Sequence, residues 1–288
     1  MSLLEATGIS VRFAGIIALD DVELTVEAGE RVGLIGPNGA GKTTLFNCLL
    51  GVTRADRGQV HFDGREISRL SVHRRARLGL GRTFQRIELF PEMSVREHLW
   101  IAERTRLGNG SVIKDLLGRG RPSRPELAVC DEMLALLGLG DVADEPIESM
   151  SLGKGRLVEV GRALMTGPRL LLLDEPSSGL DRAETAALAQ TLRDVQRERG
   201  FAILLVEHDV ELVATFTERS YVLDFGHVVV GGPTADVLRD DRVRAAYLGA
   251  FDGDSTHTRT GASRPRSAVS PEPAGDSGGE STEDRNRS

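Results

Sequence analysis

Hydrophobic and polar residues alternate in three short segments near the N-terminus. The alternation covers residues 9–13, 22–26 and 59–62. A period of two places apolar side chains on one face of a strand and polar side chains on the other, as in a half-buried antiparallel sheet. The pattern therefore predicts an N-terminal antiparallel β subdomain.

Three further apolar runs show no alternation, at residues 31–35, 170–173 and 202–206. Continuous apolar runs of this length are typical of strands buried on both faces of a parallel sheet. Each run is followed by polar or glycine-rich residues, and ligands of open α/β sheets bind at that carboxyl end of the strands. The sequence thus predicts an α/β fold with a mostly parallel sheet and a ligand site at one edge.

Helical spacing of apolar residues supports this arrangement. Apolar residues recur at helical spacing at Leu188, Leu192 and Val195, and Gly200 follows as a C-terminal cap. This pattern predicts a helix between two of the parallel strands. Residues 97–139 are also mostly helical in pattern, with an interruption rich in glycine, proline and arginine at 118–125. We predict an inserted helical subdomain over about residues 95–165.

The C-terminal part of the chain divides into a hairpin and a polar tail. Residues 221–230 have the pattern of a hairpin that turns at Gly226. From residue 252 onward, small, polar and charged residues replace the apolar periodicity, so burial cannot offset the entropy of ordering. We predict one domain over residues 1–251 and a disordered tail over residues 252–288.

Composition fits a globular protein and narrows its partners. The chain has 288 residues, 40% hydrophobic and 27% charged, with a net charge of −7 that argues against nucleic acid as the main partner. Cys48 and Cys130 lack metal-ligand spacing, and we expect both to be packing residues in a reducing cytoplasm. No stretch has the length and apolarity of a membrane-spanning helix, so we expect any membrane connection to go through a partner.

A glycine-rich segment directly after the first parallel run matches the phosphate-loop pattern. Backbone N–H groups of such a loop, together with the start of the following helix, surround phosphate oxygens. Lys42 adds a positive charge for the terminal phosphates, and Thr43 offers a hydroxyl to Mg²⁺. We predict ATP binding by Gly36, Pro37, Asn38, Gly39, Ala40, Gly41, Lys42, Thr43 and Thr44.

The second parallel run ends in two adjacent carboxylates, Asp174 and Glu175. Asp174 is predicted to hold the magnesium water shell, and Glu175 to accept a proton from the attacking water. Alone, the same residues would equally fit a strand that ends in a turn, but the phosphate loop favours the functional interpretation. His208 follows the third run and could donate a hydrogen bond to a γ-phosphate, although its chemistry alone does not assign that role.

The order of these motifs resembles the nucleotide-binding subunit of ATP-binding-cassette (ABC) transporters over residues 3–250. Gln85 stands at the glutamine-loop position, residues 150–154 at the family signature, and His208 at the switch histidine. The resemblance implies the ABC ATPase form of the P-loop NTPase fold, with ATP and Mg²⁺ as cofactors. It also implies catalytic roles for Glu175, His208 and Gln85, with Gln85 touching the metal as well.

In that family two subunits face each other, and each ATP lies between the phosphate loop of one and the signature of the other. The resemblance therefore implies a second ABC ATPase subunit, with Ser151, Gly153 and Asp181 contributing to ATP binding. We also expect Ser151 to cap a helix beginning near Gly155. Lys154 departs from the family pattern, and its charge could either strengthen ATP binding or leave that half-site less active.

Other matches concern the base of the nucleotide and the transport partners. Phe13 matches the aromatic residue that stacks on adenine, with core packing as the alternative. The surface around residues 87–100 is the expected dock for a permease, whereas Trp100 itself is expected to pack inside the helical subdomain. The resemblance therefore implies that the chain is attached to the cytoplasmic face of the membrane through integral-membrane permease subunits.

Three segments, 81–90, 156–159 and 246–249, resemble the subgroup that imports branched-chain amino acids. That subgroup works with an extracytoplasmic solute-binding protein. Subunits for urea uptake or lipopolysaccharide export share much of the same pattern, so these solutes stay open. A soluble ABC ATPase outside transport is a further alternative, which the single cassette, short insertion and negative charge disfavour.

Overall fold

Two β-sheets and the helices around them make up the residues that the computed structural model describes, which are 2–83, 89–107 and 122–244. All of them belong to one compact unit, Met1–Phe251. The predicted tail, Gln85 and residues 118–121 of the 118–125 stretch lie outside the described residues. In chain order the elements are β1 (Ser2–Phe13), β2 (Ile16–Glu27), β3 (Arg31–Ile35), α1 (Lys42–Leu50), β4 (Arg57–Phe62), β5 (Arg65–Glu66), α2 (Val72–Arg77), β6 (Leu80–Arg82), α3 (Val95–Leu107), α4 (Arg124–Leu136), α5 (Leu152–Met165), β7 (Leu170–Asp174), α6 (Arg182–Arg199), β8 (Ala202–Val206), α7 (Val210–Phe216), β9 (Arg219–Asp224), β10 (His227–Pro233) and α8 (Thr234–Val237).

The N-terminal strands form an antiparallel sheet in the order β2-β1-β4-β5, as the alternating pattern predicts. Strands β1 and β2 are longer than the segments in which apolar and polar residues alternate. Register shifts between Ala6 and Ile9 explain part of this difference, because a bulge moves the following side chains to the other face. Further register shifts lie within the alternating segment itself, between Ile9 and Val11 and between Val11 and Arg12.

The second sheet has the order β10-β9-β3-β8-β7-β6 and is parallel except at the β9–β10 hairpin. The three predicted buried strands are its central neighbours β3, β8 and β7, which confirms the parallel core. Their carboxyl ends lie at one edge, where Asp174 ends β7. The edge strand β6 was not predicted, since three residues with a central Gly81 give no apolar run.

The hairpin of β9 and β10 turns at Phe225 and Gly226, both with left-handed backbone (φ 42 and 80). The turn is attached to the segment after β3, because the Gly226 N–H donates to the carbonyl of Ala40 at 2.9 Å. The Asp20 N–H donates in turn to the carbonyl of Gly226 at 2.9 Å. The predicted hairpin is thus confirmed, and it supports the neighbouring loop.

Helices α3, α4 and α5 pack around a shared apolar core that includes Leu99, Cys130 and Val158. Of the predicted interruption at 118–125 the structure describes residues 122–125; α4 begins at Arg124, and Pro125 lies in its first turn, where a missing N–H costs nothing. Trp100 packs against the same core beneath Arg104, whose guanidinium carbon is 4.2 Å from the ring centroid. No helix of the described residues is long and apolar enough to cross a membrane.

Both cysteines are buried packing residues, as expected. Cys48 lies in α1 and Cys130 in α4. Burial raises the pKa of each thiol to about 11, so neither is a thiolate at neutral pH. They therefore play no part in the chemistry described below.

Candidate functional site

The glycine-rich loop lies between the central strand β3 and helix α1, where the motif predicts it. Two of its glycines are required sterically. A Cβ on Gly36 would lie 2.1 Å from the carbonyl oxygen of Leu223. Gly41 caps α1 with φ 105, and a Cβ there would lie 2.6 Å from the carbonyl oxygen of Ala18. The loop is therefore curled tightly against its neighbours, a form that aims backbone N–H groups at an anion.

Lys42 lies on the inner side of this loop. Its Nζ donates to the carbonyl of Gly36 at 2.6 Å and to that of Pro37 at 3.0 Å, and the residue is only 6% exposed. Burial lowers the pKa of the ammonium, while the negative charges of Glu175 and Asp174 oppose that shift. The loop lysine and both predicted carboxylates are thus close enough to interact electrostatically.

The remaining loop residues differ in exposure. Ala40 is buried, Pro37 and Thr44 are half-buried, and Asn38, Gly39 and Thr43 are exposed. An exposed Thr43 hydroxyl at the start of α1 is open to a ligand.

Asp174 is a buried carboxylate (3% exposed) with cations beside it. Burial raises its pKa, whereas Arg82, at 3.6 Å, and Lys42 lower it. A hydroxyl from Thr43 and this carboxylate form a hard oxygen donor set, which fits Mg²⁺ because that ion takes few protein ligands and keeps several waters. The residues present therefore fit the predicted metal.

Glu175 follows in a left-handed backbone conformation with φ 47. Its N–H donates to the carbonyl of Val206 at 2.9 Å, which holds the strained turn against the end of β8. Strain of this kind in a non-glycine residue persists only where neighbouring contacts enforce it, and it is common at functional sites. Glu175 is half-buried and directly follows Asp174, the last residue of the β7–β8 ladder.

Sequence reasoning did not single out Glu207, which the structure places beside these residues with no exposed surface. Its Oε1 accepts the N–H and the hydroxyl of Ser177 at 3.0 and 2.7 Å. Its Oε2 accepts the N–H of His208 at 3.2 Å. The His208 side chain is 60% exposed, and its Nδ1 lies 3.8 Å from the same oxygen. The adjacency of Glu207 to His208 was visible in the sequence, but its burial was not.

The signature residues lie at the start of α5. Ser151 caps the helix by accepting the Lys154 N–H at 3.3 Å, so capping is confirmed, but the helix begins at Leu152 and not near Gly155. Two glycines in the first turn hid this start, since glycine is a poor helix former. A Cβ on Gly153 would lie 3.2 Å from Oε1 of Glu184 in α6.

Lys154, which departs from the family pattern, pairs with the exposed Asp141 at 3.7 Å. Asp181 caps α6 in a capping box, with its Oδ1 accepting the Glu184 N–H at 2.8 Å. Among the described residues, Lys154 of the signature thus contacts Asp141, and Gly153 lies close to Glu184 of α6.

Phe13 ends β1 and is 50% exposed, so the alternative of core packing for this ring is wrong. It is available for stacking at the tip of the antiparallel sheet. Gln85, predicted to touch both metal and water, lies outside the described residues.

A phosphate loop between a central parallel strand and a helix, with carboxylates ending a nearby strand, defines a nucleotide-binding protein of the P-loop class. A family model described as "ABC transporter" matches residues 19–178. The chain belongs to the ABC transporter family and is an ATP-binding subunit of that family, an ATPase.

Similar proteins include the high-affinity branched-chain amino acid transport ATP-binding protein BraF of Pseudomonas aeruginosa. It is 36% identical over 250 residues, which cover 86% of this chain and 98% of BraF. The lipopolysaccharide export system ATP-binding protein LptB of Haemophilus influenzae is 34% identical, with the same coverage of 86% and 98%.

Among solved structures, the ADP conformation of MJ1267, an ATP-binding cassette of an ABC transporter, is 29% identical with a TM-score of 0.77. That match covers 86% of this chain and 99% of MJ1267. A nucleotide-free cassette from an ABC transporter is 28% identical with a TM-score of 0.75, and the match covers 86% and 99% of the two chains.

Proposed function

We propose that this chain binds MgATP on its phosphate loop and hydrolyses it with Glu175 as the general base, to energise import of branched-chain amino acids. The observation that carries the catalytic part is the convergence of Lys42, Asp174 and Glu175 at one sheet edge. Residues 36–44 would hold the phosphates, with Lys42 as the charged donor. The exposed ring of Phe13 would stack on the adenine.

Magnesium would be held by the Thr43 hydroxyl and the Asp174 carboxylate, with Gln85 as a further ligand from the family resemblance. The ion would supply positive charge against the β- and γ-phosphate oxygens. Lys42 would add its own charge from the inner side of the loop. Burial raises the pKa of Asp174, while Arg82 and Lys42 oppose that shift and favour the ionised form that would hold the metal.

Glu175 would accept the proton of the attacking water, since its turn leaves the carboxylate beside the phosphate loop. His208 would donate a hydrogen bond to the γ-phosphate oxygens, for which its exposed ring at the same sheet edge is available. Gln85 would orient the water and link the nucleotide to the helical subdomain, as the resemblance implies. These three residues are the catalytic set that we propose.

A second cassette, identical or different, would complete the site. Ser151 is exposed at a helix N-terminus, where backbone donors are available to the γ-phosphate of the opposite ATP. Gly153 allows that approach, and Asp181 begins the helix packed behind it. ATP would hold the two subunits together and hydrolysis would release them.

The transport partners follow from the family and from one exposed surface. Integral-membrane permeases would dock on the surface around residues 87–100, of which the described part carries Phe90 at 61% exposure. The chain would act at the cytoplasmic face of the membrane, with an extracytoplasmic solute-binding protein as a further component. BraF supports branched-chain amino acids as the solute.

Lipopolysaccharide export is a second candidate, because LptB is 34% identical over nearly its whole length. The two candidates differ in their partners. Purification of the tagged full chain from its native membranes in mild detergent would discriminate them. Two permeases, a second cassette and an amino-acid-binding protein support import, whereas envelope lipid-transport proteins support export and overturn the amino-acid proposal.

Glu175→Gln tests the catalytic part. We expect ATP binding to persist and turnover to fall by about a hundredfold or more, since a general base contributes on that order. Glu132→Gln is the matched control. The Glu132 side chain is 57% exposed and pairs with Arg199, and neither residue belongs to the phosphate loop or the carboxylate turn. Normal turnover in Glu175→Gln would contradict the assignment of the base.

A further inference from the structure

Glu207 is a fully buried carboxylate to which the proposed reaction gives no role. It follows β8, and its N–H donates to the carbonyl of Leu34 at 3.5 Å, in the strand that precedes the phosphate loop. Burying a carboxylate is unfavourable unless it is fully hydrogen-bonded, and an apolar side chain of similar size would avoid that cost. Packing alone therefore does not account for a glutamate at this place.

One oxygen of Glu207 holds the turn that carries the proposed base. Oε1 accepts two hydrogen bonds from Ser177, one from its N–H at 3.0 Å and one from its hydroxyl at 2.7 Å. Ser177 lies two residues after Glu175, and the same turn is closed by the Ser178 N–H on the carbonyl of Glu175 at 3.1 Å. Because the Glu175 backbone is left-handed, it depends on such contacts to stay in place.

The other oxygen of Glu207 holds the switch histidine. Oε2 accepts the His208 N–H at 3.2 Å and lies 3.8 Å from its Nδ1. The ring of His208 is otherwise 60% exposed, so few packing contacts determine its direction. One rigid carboxylate thus joins two segments that each carry a proposed catalytic residue.

We infer that Glu207 is a positioning residue, which fixes Glu175 and His208 relative to each other for ATP hydrolysis. This inference rests on the proposed roles of those two residues. A misplacement of about 1 Å can slow a reaction by about a hundredfold, so a buried link of this kind has kinetic consequences. It acts through its neighbours and does not itself touch the nucleotide.

Glu207→Gln separates the contact of Glu207 with Ser177 from its contact with His208. The amide oxygen can still accept both hydrogen bonds from Ser177, but the amide NH₂ then faces the His208 N–H, donor against donor. Ser177→Ala instead removes the hydroxyl that donates to Oε1 of Glu207, at almost constant side-chain volume. Glu30→Gln is the matched control, because Glu30 is also a largely buried, paired carboxylate (14% exposed), bonded to Arg219 at the other end of β3.

In the full-length chain we expect Glu207→Gln to lower kcat for ATP by about 10- to 100-fold. The dissociation constant for ATP should change less than about threefold, since the phosphate loop is untouched. His208→Ala should cost at least about fivefold less in the Glu207→Gln background than in the wild type, because both changes remove the same constraint. Glu30→Gln should lower the unfolding midpoint without lowering kcat per folded molecule.

A normal kcat for folded Glu207→Gln, or an effect of His208→Ala that is equal in both backgrounds, would overturn the inference. Should Glu207→Gln fail to fold, Ser177→Ala carries the same test: a lower kcat at constant ATP affinity supports the inference, and an unchanged kcat overturns it. Glu175→Gln is assayed in parallel. Normal turnover there would refute the proposed function, whereas a dead Glu175→Gln beside a normal Glu207→Gln refutes the positioning role alone.

Discussion

The guanidinium of Arg82 lies 3.6 Å from the carboxylate of Asp174 and joins the ends of the two neighbouring strands β6 and β7. Arg82 also reaches α1, where its Nη1 donates to Oδ1 of Asn47 at 3.4 Å and its guanidinium carbon lies 5.9 Å from the Phe46 ring centroid. The carboxylate of this pair is desolvated, because the Asp174 side chain is only 4% exposed, whereas the Arg82 side chain is 23% exposed. Arg82 therefore connects the acidic end of β7 with the helix after the phosphate loop.

Replacing Arg82 by methionine should destabilise the folded chain. The change leaves a buried carboxylate with one cation fewer, which costs about 3 kcal/mol in comparable buried pairs. Urea unfolding of the purified chain measures the loss. Arg169→Met is the control, because Arg169 and Asp63 form a 2.5 Å pair with half-exposed side chains. We expect a clearly smaller loss there, because solvent screens an exposed ion pair, and equal losses in the two variants would contradict the explanation.

A methyl group on Gly36 should greatly weaken ATP binding. The Cβ of Gly36→Ala would lie 2.1 Å from the carbonyl oxygen of Leu223, so either the loop or the hairpin must move. We expect at least about a hundredfold weaker ATP binding by calorimetry. Gly140→Ala is the control: a Cβ at that position meets nothing within 4 Å and stability should change by less than about 0.5 kcal/mol. Wild-type affinity in Gly36→Ala would refute the close approach.

His98 should lose a hydrogen bond when it is protonated. Its Nδ1 lies 2.9 Å from the carbonyl of Ser94 and so carries the proton, while Nε2 accepts the Phe90 N–H at 3.0 Å. Burial lowers the pKa of His98, with Arg162 adding to the shift and Glu97 opposing it. The neutral form stabilises the segment fully above the ordinary pKa of about 6.5, and this stability is lost as pH falls below it.

Hydrogen exchange tests this prediction. The protection factor of the Phe90 amide should fall by about tenfold between pH 7.5 and pH 5, the equivalent of one lost hydrogen bond. The Leu45 amide is the control, since it donates to the backbone carbonyl of Gly41 at 2.9 Å and has no titrating acceptor. A constant ratio of the two protection factors across this range would refute the assigned tautomer.

Glu126 should stabilise α4 except in acid. Its carboxylate accepts from Arg104 Nε at 2.9 Å and from the Ser123 N–H at 2.7 Å, and Arg104 is the largest cause of a pKa lowered to about 2. Because the folded pKa is depressed, the stabilisation is complete above the unfolded pKa of about 4.5 and is lost as pH falls toward about 2.

At pH 7, Glu126→Gln should lower the free energy of unfolding by about 1 kcal/mol, after allowance for solvent screening. The difference from the wild type should shrink progressively below pH 4.5. Urea unfolding at several pH values measures it, with Glu132→Gln as an exposed control. An equal difference in the free energy of unfolding at pH 7 and pH 3 would contradict the explanation that the ionised Glu126 carboxylate stabilises α4.

The parallel core and the phosphate loop were predictable because each has a local cause. Continuous apolar runs identify β3, β7 and β8 to within one residue, since strands buried on both faces leave no polar positions. The loop motif likewise requires its glycines for steric reasons that the structure confirms at Gly36. These features depend on residues that are neighbours in sequence.

The features that could not be predicted depend on residues distant in sequence. β6 is a strand only because Leu80–Arg82 pairs with β7, and a three-residue segment with a glycine has no pattern of its own. α5 begins at Leu152 because tertiary packing and the Ser151 cap outweigh the poor propensity of two glycines. The burial of Glu207 results from a turn thirty positions earlier in the chain.

Because Gly153 lies close to Glu184, position 153 is restricted both by packing inside the subunit and by the proposed contact with a second subunit. The Glu184 carboxylate accepts the Asp181 N–H at 3.2 Å, so a side chain added at 153 would press on a group that secures the first turn of α6. A substitution there disturbs the interior of one subunit before any second subunit arrives. Loss of activity in such a variant would then combine a folding defect within the subunit with a defect in assembly. The stability of the isolated chain would have to be measured to separate these two defects.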